Sequence, residues 1–235
     1  MNIKAEGIPA DSGGPEAIGV VIPAYNEARA VADVVARSLR HARWVLVVDD
    51  GSTDGTAELA EAAGAEVVRH SRNRGKGASL REAFAEARRR NWPALVVIDG
   101  DGQHPPEALP GFVRTWRGEG AGMVVGNRME NAEGMPRIRF LTNRFMSAIL
   151  SSLIGQRVPD TQCGYRLLSA DLLRELELTT SNYDTESEML IQAARRGFRI
   201  ASTPIPTIYS GETSKIHPGR DTLRFIRLLW RSRNR

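Results

Sequence analysis

Residues 45–54 read VLVVDDGSTD, a short apolar run that ends in two aspartates and a glycine. A valine-rich run of this length beside turn residues is typical of a strand buried on both faces of a sheet. Similar runs occur at residues 18–22, 66–69, 95–98 and 123–125, and longer amphipathic stretches separate them. Strands that alternate with helices indicate an α/β protein, a single domain with a mostly parallel central sheet flanked by helices.

The amphipathic stretches predict the helices of this domain. Asp54 is a candidate N-cap for the helix that follows the second strand, and Gly197 is a candidate C-terminal stop. Residues 200–208 contain two prolines, which predicts an edge strand because proline cannot donate a hydrogen bond within a sheet. The predicted helices cover residues 27–40, 54–63, 75–90, 136–154, 186–196 and 220–230.

The composition is that of an ordinary folded domain. The chain has 235 residues, 41% apolar and 26% charged, which excludes collagen-like, low-complexity and wholly disordered classes. The single cysteine, Cys163, excludes an intrachain disulfide and a cysteine-based zinc site, and a reducing cytoplasm fits it. No charge-free stretch approaches the roughly 20 residues of a membrane-spanning helix, so the sequence predicts none. Residues 1–16 lack the apolar core of a secretory signal and are predicted to form a flexible tail.

The positive charge is concentrated at the C-terminal end. The 32 Lys and Arg residues and 28 Asp and Glu residues give a net charge of +4. Residues 215–235 hold seven of the basic residues and one acid, a local +6, which leaves −2 for the rest of the chain. A nucleic-acid-binding protein would carry positive charge across a face of its fold. We therefore expect no nucleic-acid partner.

Acidic residues follow three of the predicted strands. The first strand leads into Glu27, the second ends at Asp49 and Asp50, and the fourth ends at Asp99 and Asp101. Ligands of open parallel sheets bind beyond the carboxyl ends of the strands, so these five carboxylates are predicted to converge on one edge. In extended chain, Asp99 and Asp101 point the same way. With a nearby glutamine oxygen they predict a site for a divalent cation and a diphosphate, and the alternative is ordinary turn chemistry.

The glycine-rich segment 74–79, Arg-Gly-Lys-Gly-Ala-Ser, lies between a predicted strand and a predicted helix. Backbone N–H groups at a helix N-terminus can hold a phosphate. The segment lacks the third glycine of a dinucleotide fingerprint and the Gly-Lys-Ser/Thr of a P-loop. A phosphate-binding loop and a purely structural loop both remain open.

Several segments carry the motifs of one family. They are VVIPAYNE (20–27), VVDDGSTDGT (47–56), NRGKGASLREAF (73–84), VVIDGDGQHPPE (96–107), VVGNR (124–128), DTQCGYRLL (160–168) and the segment from Glu186 through Pro204 and Ile205. Together they resemble the family 2 glycosyltransferases with the GT-A fold, and within them the dolichyl-phosphate mannose synthase and polyprenyl-phosphate glycosyltransferase branch. The resemblance implies a GT-A catalytic domain over residues 17–215, followed by a basic amphipathic helix over residues 216–235.

The resemblance also implies which residues bind the sugar donor. It places Asp99 at the ribose and diphosphate side, and it makes Asp101 and Gln103, with Asp99, the ligands of Mg²⁺ or Mn²⁺. Lys215 matches a loop over the diphosphate, but an arginine that the mannose synthases carry just upstream is missing, which puts specificity for mannose in doubt. His104 is expected to support the loop rather than to bind the metal. The implied nucleotide pocket consists of Pro23, Tyr25, Glu27 and Asp49.

The acceptor side is implied by three further positions. Arg128 matches an arginine beside the donor diphosphate and the acceptor phosphate. Arg139 and Asn143 fall where lipid-phosphate transferases place an arginine and a serine, so the asparagine is a departure from the pattern. On a helical wheel of residues 136–154, apolar residues surround one narrow polar face, which consists of Asn143, Arg144, Ser147 and Ser151.

Asp101, Arg128 and Asp160 are the implied catalytic residues. A metal and basic side chains would stabilise the charge that builds on the diphosphate leaving group. An acceptor hydroxyl would need a general base, whereas an acceptor phosphate is already ionised. Asp160 is the first candidate base by family position, Asp184 and Glu186 come after it, and a simple turn role for Asp160 is the alternative.

The implied function is an inverting, metal-dependent transfer of a sugar from a nucleotide sugar, of the GDP-mannose or UDP-glucose type, to a polyprenyl or dolichyl phosphate. The alternatives are the same fold acting on a soluble small hydroxy acid or glycan, a nucleotidyltransferase, and a catalytically silent binding or partner subunit. The lack of a spanning segment favours the soluble acceptor.

The predicted final helix bears on the membrane question. It carries apolar residues on one side and Arg220, Arg224, Arg227 and Arg231 on the other. Such a helix lies on an anionic membrane surface or packs on the domain with its arginines in water. We therefore expect a cytoplasmic protein that is peripheral on the inner face of the cell membrane.

Overall fold

The computed structural model describes residues 16–130, 132, 134–180 and 185–206. The described strands are β1 (Glu16–Ala24), β2 (Ala42–Asp49), β3 (Glu66–Arg69), β4 (Ala94–Val97), β5 (Met123–Asn127), β6 (Arg166–Ser169) and β7 (Ile200–Pro204). The described helices are α1 (Val31–Ser38), α2 (Thr56–Ala62), α3 (Lys76–Arg89), α4 (Leu109–Glu119), α5 (Arg137–Ile154), α6 (Ala170–Glu175) and α7 (Thr185–Arg195).

The strands form one sheet in the order β3-β2-β1-β4-β6-β5-β7. Neighbouring strands run parallel except at β6, which pairs antiparallel with β4 and with β5. The predicted α/β domain with a mostly parallel sheet is confirmed, and β7 is an edge strand, as its prolines predicted. The sequence pattern did not predict β6, because its four residues begin with Arg166 rather than with an apolar run.

Two further differences from the predicted elements concern helices. The pattern did not predict α4, which starts with Leu-Pro-Gly, residues that usually break a helix. Proline is tolerated in the first turn, where its missing N–H has no partner in any case. The pattern also did not predict α6, which has only six residues. None of the described helices has the length and hydropathy that crossing a membrane requires.

The start of α1 shows how the first two loops are joined. The sequence predicted a helix from Glu27, but α1 begins at Val31. The N–H of Glu27 donates to Thr56 Oγ1 at 2.9 Å, and the N–H of Ala28 donates to Asp54 Oδ2 at 3.1 Å. The predicted Asp54 cap is therefore wrong by one residue. Gly55 takes the N-cap position of α2, and Asp54 ties the loop after β1 to the loop after β2.

The core places a tryptophan against a glycine of β1. Trp92 is buried and stacks on Trp44, with 5.6 Å between ring centroids and 9° between ring planes. A Cβ atom on Gly19 would lie 1.9 Å from Cε3 of Trp92. Only glycine fits at this position of the strand unless the indole moves.

We predict that Gly19→Ala destabilises the fold by about 1–3 kcal/mol, because overpacking a filled core displaces rigid side chains. Gly118→Ala is the matched control, since a Cβ there would meet no atom within 4 Å, and this change in α4 should stabilise by about 0.5–1 kcal/mol. Chemical denaturation of both variants measures the difference. Equal stabilities would mean that the indole can move at little cost.

Candidate functional site

The loops that the sequence singled out meet at one edge of the sheet. β2, β1 and β4 are adjacent and parallel, so their carboxyl ends, at Asp49, Ala24 and Val97, open on the same side. The described residues hold no group of three or more His, Cys, Asp and Glu side chains placed to bind a metal. The sheet topology brings these loops together. What each acidic side chain can bind depends on the group with which it is already paired.

The loop after β1 carries the residues of the predicted nucleotide pocket. Asn26 has a positive φ of 56°; its N–H donates to Ser52 Oγ at 2.9 Å, and its Oδ1 accepts from the N–H of Thr53 at 3.0 Å. Tyr25, beside it, is 43% exposed although it follows a buried strand. Asp49 is buried, and its Oδ1 accepts from the N–H of Ser52 at 3.2 Å. An exposed aromatic ring and a buried carboxylate therefore lie at neighbouring strand ends, beside Pro23 and Glu27.

Asp99 is paired with a lysine from the glycine-rich segment. Nζ of Lys76 lies 2.6 Å from Asp99 Oδ1 and 2.9 Å from Glu186 Oε1. Burial by itself would lower the pKa of Lys76, but the two carboxylates raise that pKa above its ordinary value. Burial would likewise raise the pKa of Asp99, but nearby basic groups, Lys76 first, lower it below its ordinary value.

Asp101 lies in a turn rather than in extended chain. β4 ends at Val97, so the expectation that Asp99 and Asp101 point the same way along a strand is wrong. Oδ1 of Asp101 instead accepts from the N–H of Gln103 at 2.9 Å. The Asp101 and Gln103 side chains are both partly exposed, so a carboxylate and an amide oxygen stand together at the surface of this turn.

The glycine-rich segment binds a carboxylate of the protein itself. The N–H groups of Arg74 and Gly75 donate to Oδ1 and Oδ2 of Asp50, at 2.8 and 2.7 Å. These are the N–H groups before α3 that a bound phosphate would use. The geometry therefore favours the structural alternative for the loop, which nevertheless carries Lys76 to Asp99.

Asp160 and Arg128 form a buried two-bond ion pair. Nε of Arg128 lies 2.6 Å from Asp160 Oδ2, and Nη2 lies 3.0 Å from Oδ1. The side chains are 5% and 0% exposed. Both carboxylate oxygens of Asp160 thus accept from Arg128, an arrangement that suits holding the guanidinium more than taking a proton from an acceptor.

Arg166 organises the loop that carries Asp160, a role that the sequence did not reveal. The side chain is fully buried and donates to the carbonyls of Thr161, Cys163 and Glu186, at 2.8, 2.8 and 2.5 Å. A single arginine therefore joins this loop to the start of α7. Its only sequence signal is a charged residue inside an otherwise apolar YRLL segment.

His104 and Cys163 are buried next to these charges. Burial, the largest cause, lowers the pKa of His104 to about 4, so its imidazole is neutral at pH 7. Its ring lies 5.7 Å from that of Tyr165. Cys163 is fully buried, and burial raises the pKa of its thiol to about 11.

α5 turns Asn143 and Ser147 inward beside the buried Leu150, and it exposes large apolar side chains on its outer side. Asn143 and Ser147 are buried, and Oγ of Ser147 accepts from the N–H of Thr161 at 2.9 Å. Arg139, one turn before Asn143, is half-buried. The opposite face carries large apolar side chains that are 49–80% exposed: Ile138, Leu141, Phe145 and Leu153. The inward side of α5 is mixed, because Leu150 is buried in the core beside Asn143 and Ser147, and the exposed large apolar side chains are the unusual feature of this surface helix.

Three parts of the predicted site lie outside the described residues. They are Lys215, Asp184 and the basic helix at residues 216–235. Of the other predicted positions, the topology brings those of the nucleotide pocket and of the Asp-x-Asp turn to one edge. Arg128 is held by Asp160, and Ser147 of α5 accepts from the N–H of Thr161, the residue after Asp160.

Comparison with known proteins identifies the family. Residues 19–177 match the family described as glycosyl transferase family 2, and the chain belongs to that family. It is 34% identical over 204 residues to the dolichyl-phosphate hexose transferase of Haloferax volcanii, which covers 86% of this chain and 87% of the relative. It is 33% identical over 201 residues to the undecaprenyl-phosphate mannosyltransferase of Micrococcus luteus, with 79% and 81% covered.

Solved structures confirm the GT-A fold. Glucosyl-3-phosphoglycerate synthase from Mycobacterium tuberculosis, in complex with UDP, superposes with a TM-score of 0.74 at 26% identity, covering 92% of this chain and 79% of that one. The same enzyme with Mn²⁺, UDP-glucose and phosphoglyceric acid gives a TM-score of 0.73 at 26% identity, with the same coverage. The sequence-based assignment to a glycosyltransferase family is therefore confirmed.

The buried pair gives a prediction about stability. Asp160→Ala should cost about 3–5 kcal/mol, because it leaves the Arg128 guanidinium buried without its counter-ion. The double variant with Arg128→Ala should cost less than the sum of the two single changes, with a coupling of about 0.5–3 kcal/mol. Urea denaturation of the four proteins measures this coupling. Simple additivity would show that Asp160 does not hold Arg128.

Proposed function

We propose that the chain transfers a hexose from a nucleotide sugar, of the UDP-glucose or GDP-mannose type, to a polyprenyl phosphate, with Mg²⁺ or Mn²⁺, inversion at the anomeric carbon and action at the cytoplasmic membrane face. The observation that carries the proposal is helix α5, whose inward Ser147 bonds to the loop of Asp160 while four large apolar side chains on its outer side are exposed. A phosphate on a long apolar tail is the acceptor that such a helix suits. The names of the two relatives support the same class of acceptor.

The donor would bind at the joined loops after β1 and β2. Tyr25 offers an exposed aromatic face for the base, and Pro23 and Glu27 border it. Asp49, buried at the end of β2, would accept a hydrogen bond from the base. The pairing of Asp99 with Lys76 would place a carboxylate at the ribose and a cation at the diphosphate. Lys215 would close over the diphosphate from the far side.

The turn after β4 fits a divalent cation. Asp101 and Gln103 contribute a carboxylate and an amide oxygen, which are hard ligands of the kind that Mg²⁺ and Mn²⁺ take. Two or three protein ligands leave room for diphosphate oxygens and water. When bound, the cation would neutralise charge on the diphosphate leaving group.

The chain's own side chains would position the acceptor phosphate for the transfer. The acceptor phosphate is already ionised near neutral pH, so no general base is required for its attack on the sugar carbon. Arg128 would hold the acceptor phosphate beside the diphosphate, and Arg139 and Asn143 would hold it from α5. Asp160 would keep the Arg128 guanidinium in place. The base role predicted for Asp160 remains the alternative for a hydroxyl acceptor.

The membrane would be reached through two surfaces. One is the exposed apolar face of α5, and the other is the predicted basic helix at residues 216–235, which follows the catalytic domain of residues 17–215. Apolar side chains and cations together favour a peripheral position on an anionic surface. This arrangement would keep the lipid tail in the bilayer while the phosphate reaches Arg128.

A soluble acceptor that carries a phosphate is the second candidate. The specific observation in its favour is the similarity to glucosyl-3-phosphoglycerate synthase, whose structure holds phosphoglyceric acid. Arg128 could serve either acceptor, since both present a phosphate. The exposed apolar face of α5 has no role with a soluble acceptor, and for this reason we place the lipid first.

We predict that Asp101→Asn lowers sugar transfer from radiolabelled UDP-glucose or GDP-mannose, assayed with Mn²⁺, by on the order of 100-fold, because stabilisation of the leaving group is lost. The melting temperature should stay within a degree or two, since Asp101 is partly exposed. Asp171→Asn, on the exposed surface of α6, is the matched control and should retain activity. Undiminished transfer by wild type in excess EDTA would rule out the metal.

A second prediction concerns the exposed face of α5. Leu141→Ser with Phe145→Ser should weaken binding to anionic vesicles at least tenfold, because each large apolar side chain contributes about 1.5–3 kcal/mol when it leaves water. Stability should not fall, since both side chains are more than 60% exposed. Leu59→Ser, at an exposed apolar position of α2, is the control. Vesicle sedimentation measures the binding of wild type, the α5 double variant and the Leu59→Ser control. Equal binding by all three would show that α5 does not contact the membrane.

A further inference from the structure

His70 is a buried histidine with a carboxylate at each ring nitrogen. Nδ1 lies 2.6 Å from Asp50 Oδ1, and Nε2 lies 2.7 Å from Glu82 Oε2. The His70 side chain is only 3% exposed. An ionised carboxylate only accepts, so in the bond to Asp50 the imidazole Nδ1–H is the donor. No part of the proposed transfer uses His70. A buried polar ring is costly unless its nitrogen atoms are hydrogen-bonded, and both nitrogens of His70 have a partner.

Asp50 connects His70 to the glycine-rich loop. Its two oxygens accept from the N–H groups of Arg74 and Gly75, which fixes the backbone just before Lys76. The loop also packs closely on the β2 turn, because a Cβ on Gly51 would lie 2.6 Å from the carbonyl carbon of Arg72. The backbone leading to Lys76 is therefore held by the Asp50 carboxylate at both Arg74 and Gly75, with a longer bond from the Gly75 N–H to Asn73 Oδ1, and His70 orients that carboxylate.

We propose that His70 is a positioning residue that, through Asp50, keeps Lys76 in place for the donor diphosphate. The imidazole holds the carboxylate in the plane in which its two oxygens meet two successive N–H groups. Without that bond the carboxylate can rotate, the loop loosens, and the Lys76 ammonium no longer stays at Asp99. The role of Lys76 at the diphosphate rests on the proposed function, whereas the hold on the loop does not.

Two substitutions separate the two bonds of His70. In His70→Asn the side-chain amide nitrogen falls near the position of Nδ1 and can still donate to Asp50. In His70→Gln the amide nitrogen falls near the position of Nε2 and can donate only to Glu82. Glutamine fills more of the space of histidine than asparagine does. A role in packing alone therefore predicts that the glutamine variant is the milder one.

Hydrogen exchange of the Arg74 and Gly75 amides, measured by NMR on the free protein, tests the hold on the loop. We expect His70→Asn to keep their protection within threefold of wild type and His70→Gln to speed their exchange at least tenfold. Glu82→Ala removes the outer partner of His70 and an exposed 3.7 Å ion pair with the Arg74 side chain, and it should behave like His70→Asn. Equal exchange in the two histidine variants, or faster exchange in His70→Asn, would overturn the proposal. Should His70→Gln not fold, Asp50→Asn takes its place, because an amide cannot accept all three bonds.

Calorimetric titration with UDP and with GDP, each with Mn²⁺, then separates this inference from the function. We expect at least tenfold weaker binding to His70→Gln and binding within threefold of wild type to His70→Asn. Equal affinities in the two variants would show that the loop does not act on the diphosphate. Wild type that binds neither nucleotide, with the exchange contrast still present, would overturn the proposed function and the link to Lys76 but leave the hold on the loop established.

Discussion

Carboxylates crowded at one edge of a parallel sheet must each be compensated inside the protein, and the site is arranged by that constraint. Asp50 is compensated by two backbone N–H groups, Asp99 by Lys76 and Asp160 by Arg128. A buried charge left unpaired would cost several kcal/mol, so each partner is fixed as firmly as the acid that it serves. Under the proposed function, the same cations, Lys76 and Arg128, would also face the phosphates of the donor and the acceptor.

The need to pair buried polar groups also explains the orientation of α5. The loop beside Asp160 needs hydrogen-bond donors and acceptors, and α5 supplies them through Ser147 and Ser151. Leu150 packs inward near these serines, whereas four large apolar side chains of the helix stay exposed on its outer side. A large exposed apolar face on a folded domain marks an interaction surface. The position of this face, on the helix that carries Arg139 and Asn143, is the reason for placing the acceptor's lipid tail there.

The sequence predicted the parts that depend on regular patterns. Valine-rich runs gave five of the strands, and the acids after them gave the convergent edge. The failures came where a partner distant in sequence decides the local structure. The sequence placed Asp50 in a cluster of carboxylates, but only the fold shows that it accepts two backbone hydrogen bonds from the glycine-rich loop. Arg166 lacked a signal because its three carbonyl partners come from two separate segments. The polar face predicted for α5 is only partly inward: Asn143 and Ser147 are buried and Ser147 bonds to Thr161, whereas Arg144 is exposed.

The acceptor is tested most directly by photolabelling. A polyprenyl phosphate with a diazirine in its first isoprene units would be irradiated with the protein and anionic vesicles, and the labelled peptides identified by mass spectrometry. The account predicts label within residues 137–154, removed by unlabelled polyprenyl phosphate and retained in excess 3-phosphoglycerate. Label scattered over the surface, or label on α5 that 3-phosphoglycerate removes as effectively as the lipid, would contradict a polyprenyl-phosphate acceptor.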